Sequence, residues 1–264
     1  MPIWSPDGRR LAFGSRRNGK WALYVKVADN TRTEELVLES DRPAMAMSWS
    51  GDRLVYWISD PKTSGDIWSV PVTEAGEKKP VPVLQTPADE RNPQVSPDGK
   101  WIAYSSNETG RSEIYIRPFP EGPGKIQVSV NGGVFPRWRG DGKELFFLNL
   151  VSVGAMMASD IKIAGSSIQR DVPHLLFQSS FLSVAHPAGH YHAYAVSANG
   201  QQFLIPQFES IAVAFGRGRG SGRNAAIAAA LSTVMADRHG ATGAAASSAT
   251  PIVAVIDWTA GLKK

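Results

Sequence analysis

The sequence predicts an all-β protein: a β-propeller of four-stranded blades, about five of them visible, with an irregular, partly helical insertion. Three observations carry this. A short turn phrase recurs, its copies stand at a near-constant period, and each period holds four strand-like stretches. The clearest copies are "MPIWSPDGRRLAFGS" (1–15) and "NPQVSPDGKWIAYSS" (92–106), which share the turn Ser-Pro-Asp-Gly at residues 5–8 and 96–99. Proline sets φ near the value a type I turn needs, aspartate bonds neighbouring backbone, and glycine accepts positive φ. The runs that follow, 10–13 and 100–104, have the length and apolar, aromatic content of short strands. Each phrase therefore reads as strand, tight turn, strand.

A third copy, residues 48–56, has its turn shortened by two residues; a fourth spans 136–147 and a weaker fifth 195–205. Referred to Ser96, the copies sit at 5, 50, 96, 139 and 197, at intervals of 45, 46, 43 and 58. A third strand follows each of the first three hairpins, at 22–25, 66–70 and 113–116, and a fourth at 36–38, 81–84 and 126–128. Four short strands in about forty-five residues is the signature of a propeller blade. The fourth repeat is poorer, because "NLVSVGAMMAS" (149–159) lacks a clear turn. Trp4, Trp49 and Trp138 occupy one equivalent position, filled by Val95 in the third copy, and should pack between neighbouring blades.

Composition narrows the function classes. A chain of 264 residues with 42% hydrophobic and 20% charged residues can build an ordinary core. The net charge of +4 is spread along the chain without a basic face, which argues against nucleic acid as a partner. With no cysteine, disulfides, thiolate metal sites and cysteine nucleophiles are excluded. No run is long and apolar enough to span a membrane. Met1 leads at once into a strand, so the expectation is a fragment lacking at least one N-terminal blade.

The phrase Trp-Ser-Pro-Asp-Gly followed by a Leu/Ile-Ala-Phe/Tyr strand resembles the TolB-type propeller repeat, a relative of the WD repeat. "EIYIRPFPEGPGKIQVS" (113–129), "VFPRWRGDGKELFFL" (134–148) and "VIDWTAGLKK" (255–264) look more narrowly like the C-terminal propeller behind eukaryotic-like serine/threonine protein kinase domains in certain bacteria. The resemblance covers residues 1 to about 208 and 251–264. It implies a recognition or sensor propeller, held on the extracytoplasmic (periplasmic) side of a membrane-anchored parent. The chain itself carries no His-Arg-Asp catalytic loop, no Asp-Phe-Gly and no kinase Gly-rich loop, so it should phosphorylate nothing.

Three segments follow: propeller blades over 1–208, a Gly/Arg/Ala-rich insertion over 209–250, and a closing strand and tail over 251–264. Within the insertion, 223–238 reads as a helix and the part before it as loop. Gly216, Gly218 and Gly220 after a strand-like 211–215 invite a dinucleotide reading, with 252–256 as a second strand ending in Asp257. The glycine spacing is wrong, and Asp257 stands well beyond the expected distance of roughly twenty residues. Arg217, Arg219 and Arg223 read as a solvated loop rather than an anion site.

His186, His190 and His192 in "AHPAGHYHAY" offer three imidazoles for a divalent metal, as in a metal-dependent propeller lyase, but their Pro/Gly loop lacks the rigidity a metal site wants. His174 and His239 stand alone, and no G-x-S-x-G elbow exists for a serine hydrolase. Asp7, Asp98 and Asp141 sit inside tight turns that account for them. No catalytic, cofactor or metal residue is assigned and no cofactor is expected. The expected function is non-catalytic: binding of a protein or small-molecule ligand on one propeller face. A stand-alone TolB-like extracytoplasmic interaction module and the lyase are the alternatives.

Overall fold

The structure is a computed structural model that describes residues 2–17, 19–29, 31–73, 77–152, 154–165, 167–179, 193–207 and 252–257. The chain divides into two compact units, residues 1–205 with 254–264, and residues 206–253. Nearly all described residues belong to the first, and every described element is a strand.

Blade one is β1 (Pro2–Trp4), β2 (Arg10–Arg17), β3 (Lys20–Val27) and β4 (Glu35–Ser40), hydrogen-bonded in that order. Blade two repeats the meander with β5 (Ala44–Ser50), β6 (Arg53–Asp60), β7 (Ser64–Pro71) and β8 (Val81–Leu84). Blade three does so with β9 (Glu90–Val95), β10 (Trp101–Ser106), β11 (Glu113–Pro118) and β12 (Ile126–Gln127). Within these blades all pairings are antiparallel. The shortened turn of the third sequence copy is a two-residue hairpin: Ser50 pairs with Arg53 across Gly51, whose φ is +55°.

Blade four departs from the plan. It comprises β13 (Val134–Trp138), β14 (Glu144–Leu148), β15 (Ala155–Ala164), β16 (Ser167–Arg170) and β17 (His174–Gln178). The first half of β15 pairs with β14 and with β17, which is the true fourth strand. Its second half turns back on itself as a hairpin with β16. That ten-residue strand, shared among three partners, is why the fourth repeat reads poorly in the sequence. A three-stranded sheet of β18 (Ala195–Val196), β19 (Gln202–Gln207) and β20 (Ile252–Asp257) follows.

The core lies between the blades. One apolar layer joins blades one and two through Leu23, Leu54, Tyr56 and Ile58. A second joins blades two and three through Val55, Ile67, Ile102 and Tyr104. Blades three and four share Trp101, Ala103, Leu145 and Phe147; blade four meets the next sheet through Phe146, Leu148 and Phe203. Successive side chains of a strand point to opposite faces. Leu54 and Val55, or Leu145 and Phe146, thus serve different layers, and the second strands read as unbroken apolar runs because both faces are covered.

The expected inter-blade role holds for two of the three tryptophans. Trp49 lies in the layer between blades one and two, and Trp138 donates its indole N–H to the Gln94 carbonyl of blade three at 3.0 Å. Val95 packs in the layer of blades two and three. Trp4 corrects the expectation: it is 57% exposed, because no described blade packs against that side of blade one. The helix expected over 223–238, the glycines at 216, 218 and 220, and the arginines at 217, 219 and 223 lie outside the described residues. Asp257 ends β20.

Candidate binding face

In an antiparallel meander the first-to-second and third-to-fourth connections share one end of the blade, and the second-to-third and blade-to-blade connections share the other. The recurring phrase marks the first end. In blade three the Ser96 amide donates to the Trp101 carbonyl (2.8 Å), the Gly99 amide to the Ser96 carbonyl (2.9 Å) and the Trp101 amide to Ser96 Oγ (3.0 Å). Asp98 Oδ1 accepts from Ser96 Oγ (2.5 Å) and the Lys100 amide (3.1 Å). Blade one builds the same cage from Ser5, Asp7 and Arg10, and residues 197–202 build it with Asn199 in the aspartate's place.

In blade four Arg139 replaces the serine. Its guanidinium grips Asp141 at 2.7 and 2.9 Å and Glu144 at 2.8 Å, and the hydrogen bonds to Arg139 hold the Asp141 carboxyl down at about 2. The hydrogen bond from Ser5 likewise lowers Asp7. Successive turns touch, with the Gly140 amide donating to the Ala198 carbonyl at 2.9 Å. Asp7, Asp98 and Asp141 are thus engaged within their own turns, which leaves them little to offer a ligand.

The opposite end is built differently at every junction. Between blades three and four it opens a cavity of about 600 Å³ whose lining includes Arg111, Asn131, Phe147, Asn149, Met157 and Val172, a volume in the range of small-ligand sites. Its polar groups are held before any ligand arrives. Arg111 Nε donates to Glu113 Oε1 at 2.7 Å and its terminal amino group reaches Asn131 Oδ1 at 3.4 Å. Asn149 Oδ1 accepts from the Val151 and Ser152 amides, both at 2.8 Å, and its amide donates to the Gly132 carbonyl. Asn131 and Gly132 both take positive φ, and a Cβ at Gly132 would press on Leu150 at 2.9 Å. Val130 and Val151 stand on this lining with more than half their surface exposed, and Val172 joins it from the connection that leads into β17.

Under this end lie buried carboxylates at the heads of the third strands. Glu113 opens β11 with no exposed surface and accepts from Arg111, from the Gly132 amide at 2.9 Å and from Ser129 Oγ. Asp66 is its counterpart near the head of β7, also without exposure. Asp66 Oδ2 accepts from Thr63 Oγ1 at 2.9 Å and from Gln85 Nε2 at 3.5 Å, while its Oδ1 has no partner. The connection from blade two to blade three brings a second acid, Glu90, 1% exposed: Thr86 Oγ1 donates to its Oε1, and its Oε2 is unpartnered. Burial pushes Glu90 up to about 7, with the neighbouring Asp66 adding to the rise; burial raises Asp66 too. The Asp89 amide donates to Asn107 Oδ1 at 2.8 Å, tying this connection to the loop that carries Arg111.

The sequence reading singled out none of Asp66, Glu90, Arg111, Glu113, Asn131 or Asn149. A signal existed for two. Asp66-Ile67-Trp68 and Glu113-Ile114-Tyr115 put an acid at the head of an otherwise apolar strand, where blades one and four have Ala22 and Ala155. His174 lies on β17, exposed; His186, His190, His192 and His239 lie outside the described residues. Among the described residues no group of three or more His, Asp or Glu is arranged to hold a metal ion, and no helix is long and apolar enough to cross a membrane.

Comparison with known proteins agrees with this architecture. An uncharacterised protein of Agrobacterium fabrum is 27% identical over 150 residues, covering 55% of this chain and 49% of its own. TolB from Acinetobacter baumannii superposes with a TM-score of 0.58 at 18% identity, over 78% of this chain and 48% of that one. An oligogalacturonate lyase solved in complex with manganese superposes at 0.54 and 12% identity, over 78% and 61%. At these identities the structures share the fold alone, and the chain spans about half the length of the Agrobacterium protein and of TolB. The model of the TolB beta propeller domain matches residues 1–206, and the chain belongs to that family.

Proposed function

We propose that this chain is a non-catalytic recognition module that binds a partner on the propeller face opposite the recurring turns. One observation carries the reading: the cavity between blades three and four, open to solvent, rimmed by exposed valines and lined by polar groups already held in place. Preorganised polar groups within an apolar rim are what recognition requires, because the ligand then orders little on binding. Binding residues carried on loops over a rigid scaffold fit the same reading. In its fuller form the proposal makes the chain the C-terminal sensor propeller of a bacterial serine/threonine kinase-like protein, exposed outside the cytoplasm. The motifs at 113–129, 134–148 and 255–264 support that context.

Site-specific photo-crosslinking in the native host tests the binding face. A photoreactive residue at Val130 or Val151 should capture a discrete partner, and one at Asp98 on the turn end should not. Equal capture from both ends, or none from the rim, would refute the assignment of the face. Reading the gene upstream of this segment tests the parent: an in-frame kinase domain and membrane segment supports it, and a signal peptide joined directly to the blades removes it.

A further inference from the structure

Asp66 and Glu113 fill the same slot near the head of a third strand, yet only Glu113 is satisfied. Arg111, Ser129 and Gly132 close around it. At the blade two–blade three junction Asp66 and Glu90 are both buried, each keeps one oxygen without a partner, and consecutive residues bridge them: Gln85 to Asp66 and Thr86 to Glu90. The cationic groups around the pair are already engaged. Arg42 pairs with Asp60, and Arg91 Nε donates to Asp89 Oδ2 at 2.7 Å, while Asp89 Oδ1 is buried without a partner and adds negative charge beside Glu90. Tyr104 of β10 is buried nearby, and Glu108 is paired to Lys125. Two ionised carboxylates cannot share such a site without a cation or a proton between them.

We propose that Asp66 and Glu90 form a proton-operated latch: one proton held by the pair keeps the 85–89 connection seated, and its loss releases that connection and the Asp89–Asn107 bond. The released bond is the one that ties the connection to the 107–112 loop and so to Arg111. The latch therefore makes the proposed binding face ordered below neutral pH and loose above it, an inference that rests on the reading of that face as the binding face. No bond other than O–H is broken, and the proton leaves to solvent.

Amide exchange and carboxyl-carbon NMR, recorded on the full chain without ligand from about pH 5 to about pH 9, test the latch. The Glu90 carboxyl should titrate near neutrality. Protection of the Asp89 amide should fall at least roughly tenfold beyond the base-catalysed trend over the same range. In Glu90→Gln and in Asp66→Asn, each made separately so that one folded variant suffices, the excess fall should vanish. An unchanged fall in the folded variants, or no excess fall in the wild type, overturns the latch. A calcium-dependent gain in Asp89 protection at high pH also overturns it, by making the pair a cation site. These readouts need no partner, so a failed crosslink from Val130 and Val151 would remove the binding reading and leave the latch standing.

Discussion

At the turn end of the blades, three of the described turns are closed by one set of hydrogen bonds, repeated from Ser5 to Ser96 to Ser197. At the opposite end the junctions share strand geometry but not chemistry. One seals a carboxylate with three donors, one leaves two buried acids each with an unpartnered oxygen, and blades one and four have an alanine in the slot. The difference teaches where a repeat protein can vary. A turn that caps its own backbone within six residues makes the same local demand in every copy. A blade-to-blade connection answers to whatever the next blade presents, so its residues are free to specialise.

The comparison can be broken most directly at Glu113. Glu113→Ala strips the partner from a half-exposed arginine, a buried serine hydroxyl and the buried Gly132 amide, and should cost about 3–5 kcal/mol in a urea melt. A loss near that of a turn substitution would mean the two ends are energetically alike.

Next comes Glu90. The unfolded carboxyl ionises near 4.5 and the folded one at about 7, so between those values the unfolded chain releases a proton that the folded chain keeps. Stability should therefore fall by about 3 kcal/mol as pH rises through that window, and stay lower above it. Glu90→Gln should flatten the slope, and thermal melts across the window read both.

At the turn end, Ser96→Ala removes the acceptor for the Trp101 amide and one donor to Asp98, and should cost about 1–2 kcal/mol. Ser197→Ala tests whether the copies are equivalent, since its cage is the same but more exposed. The smallest effect belongs to Asp141, whose carboxyl is held down at about 2 by Arg139. The stability it confers is present above the ordinary carboxylate value and lost as pH falls toward 2. Because the pair is partly exposed and screened by solvent, Asp141→Asn should change stability at neutral pH by only about 0.5 kcal/mol.

Much of the fold was legible because its signals are local. Pro6 and Pro97, Gly8 and Gly99, and the aspartates between them specify a turn by their own φ preferences and side-chain hydrogen bonds, so two copies suffice to find the weaker ones. The fourth blade was harder to read. β15 carries two strands' worth of pairing in one run, and β17 at His174–Gln178 lies beyond an added hairpin. Trp4 shows the limit of equivalence by position: the same residue type at the same place in the repeat is buried at 49 and 138 and open at 4. The candidate site was barely legible, because Arg111, Asn131 and Asn149 come from three separate connections and no local pattern joins them.

The sequence by itself determined that the chain is a string of four-stranded antiparallel units with a common turn, since turn chemistry and strand alternation act over a few residues. Only the tertiary structure decided which acids are sealed and which are buried with an unpartnered oxygen, and where a cavity opens. Those outcomes depend on groups forty or more residues apart in the chain meeting across a blade boundary, as Gln94 meets the Met47 carbonyl and Trp138 meets Gln94. Burial then sets their chemistry: a carboxyl in water ionises freely, and burial pushes the same carboxyl upward, as it does Glu90.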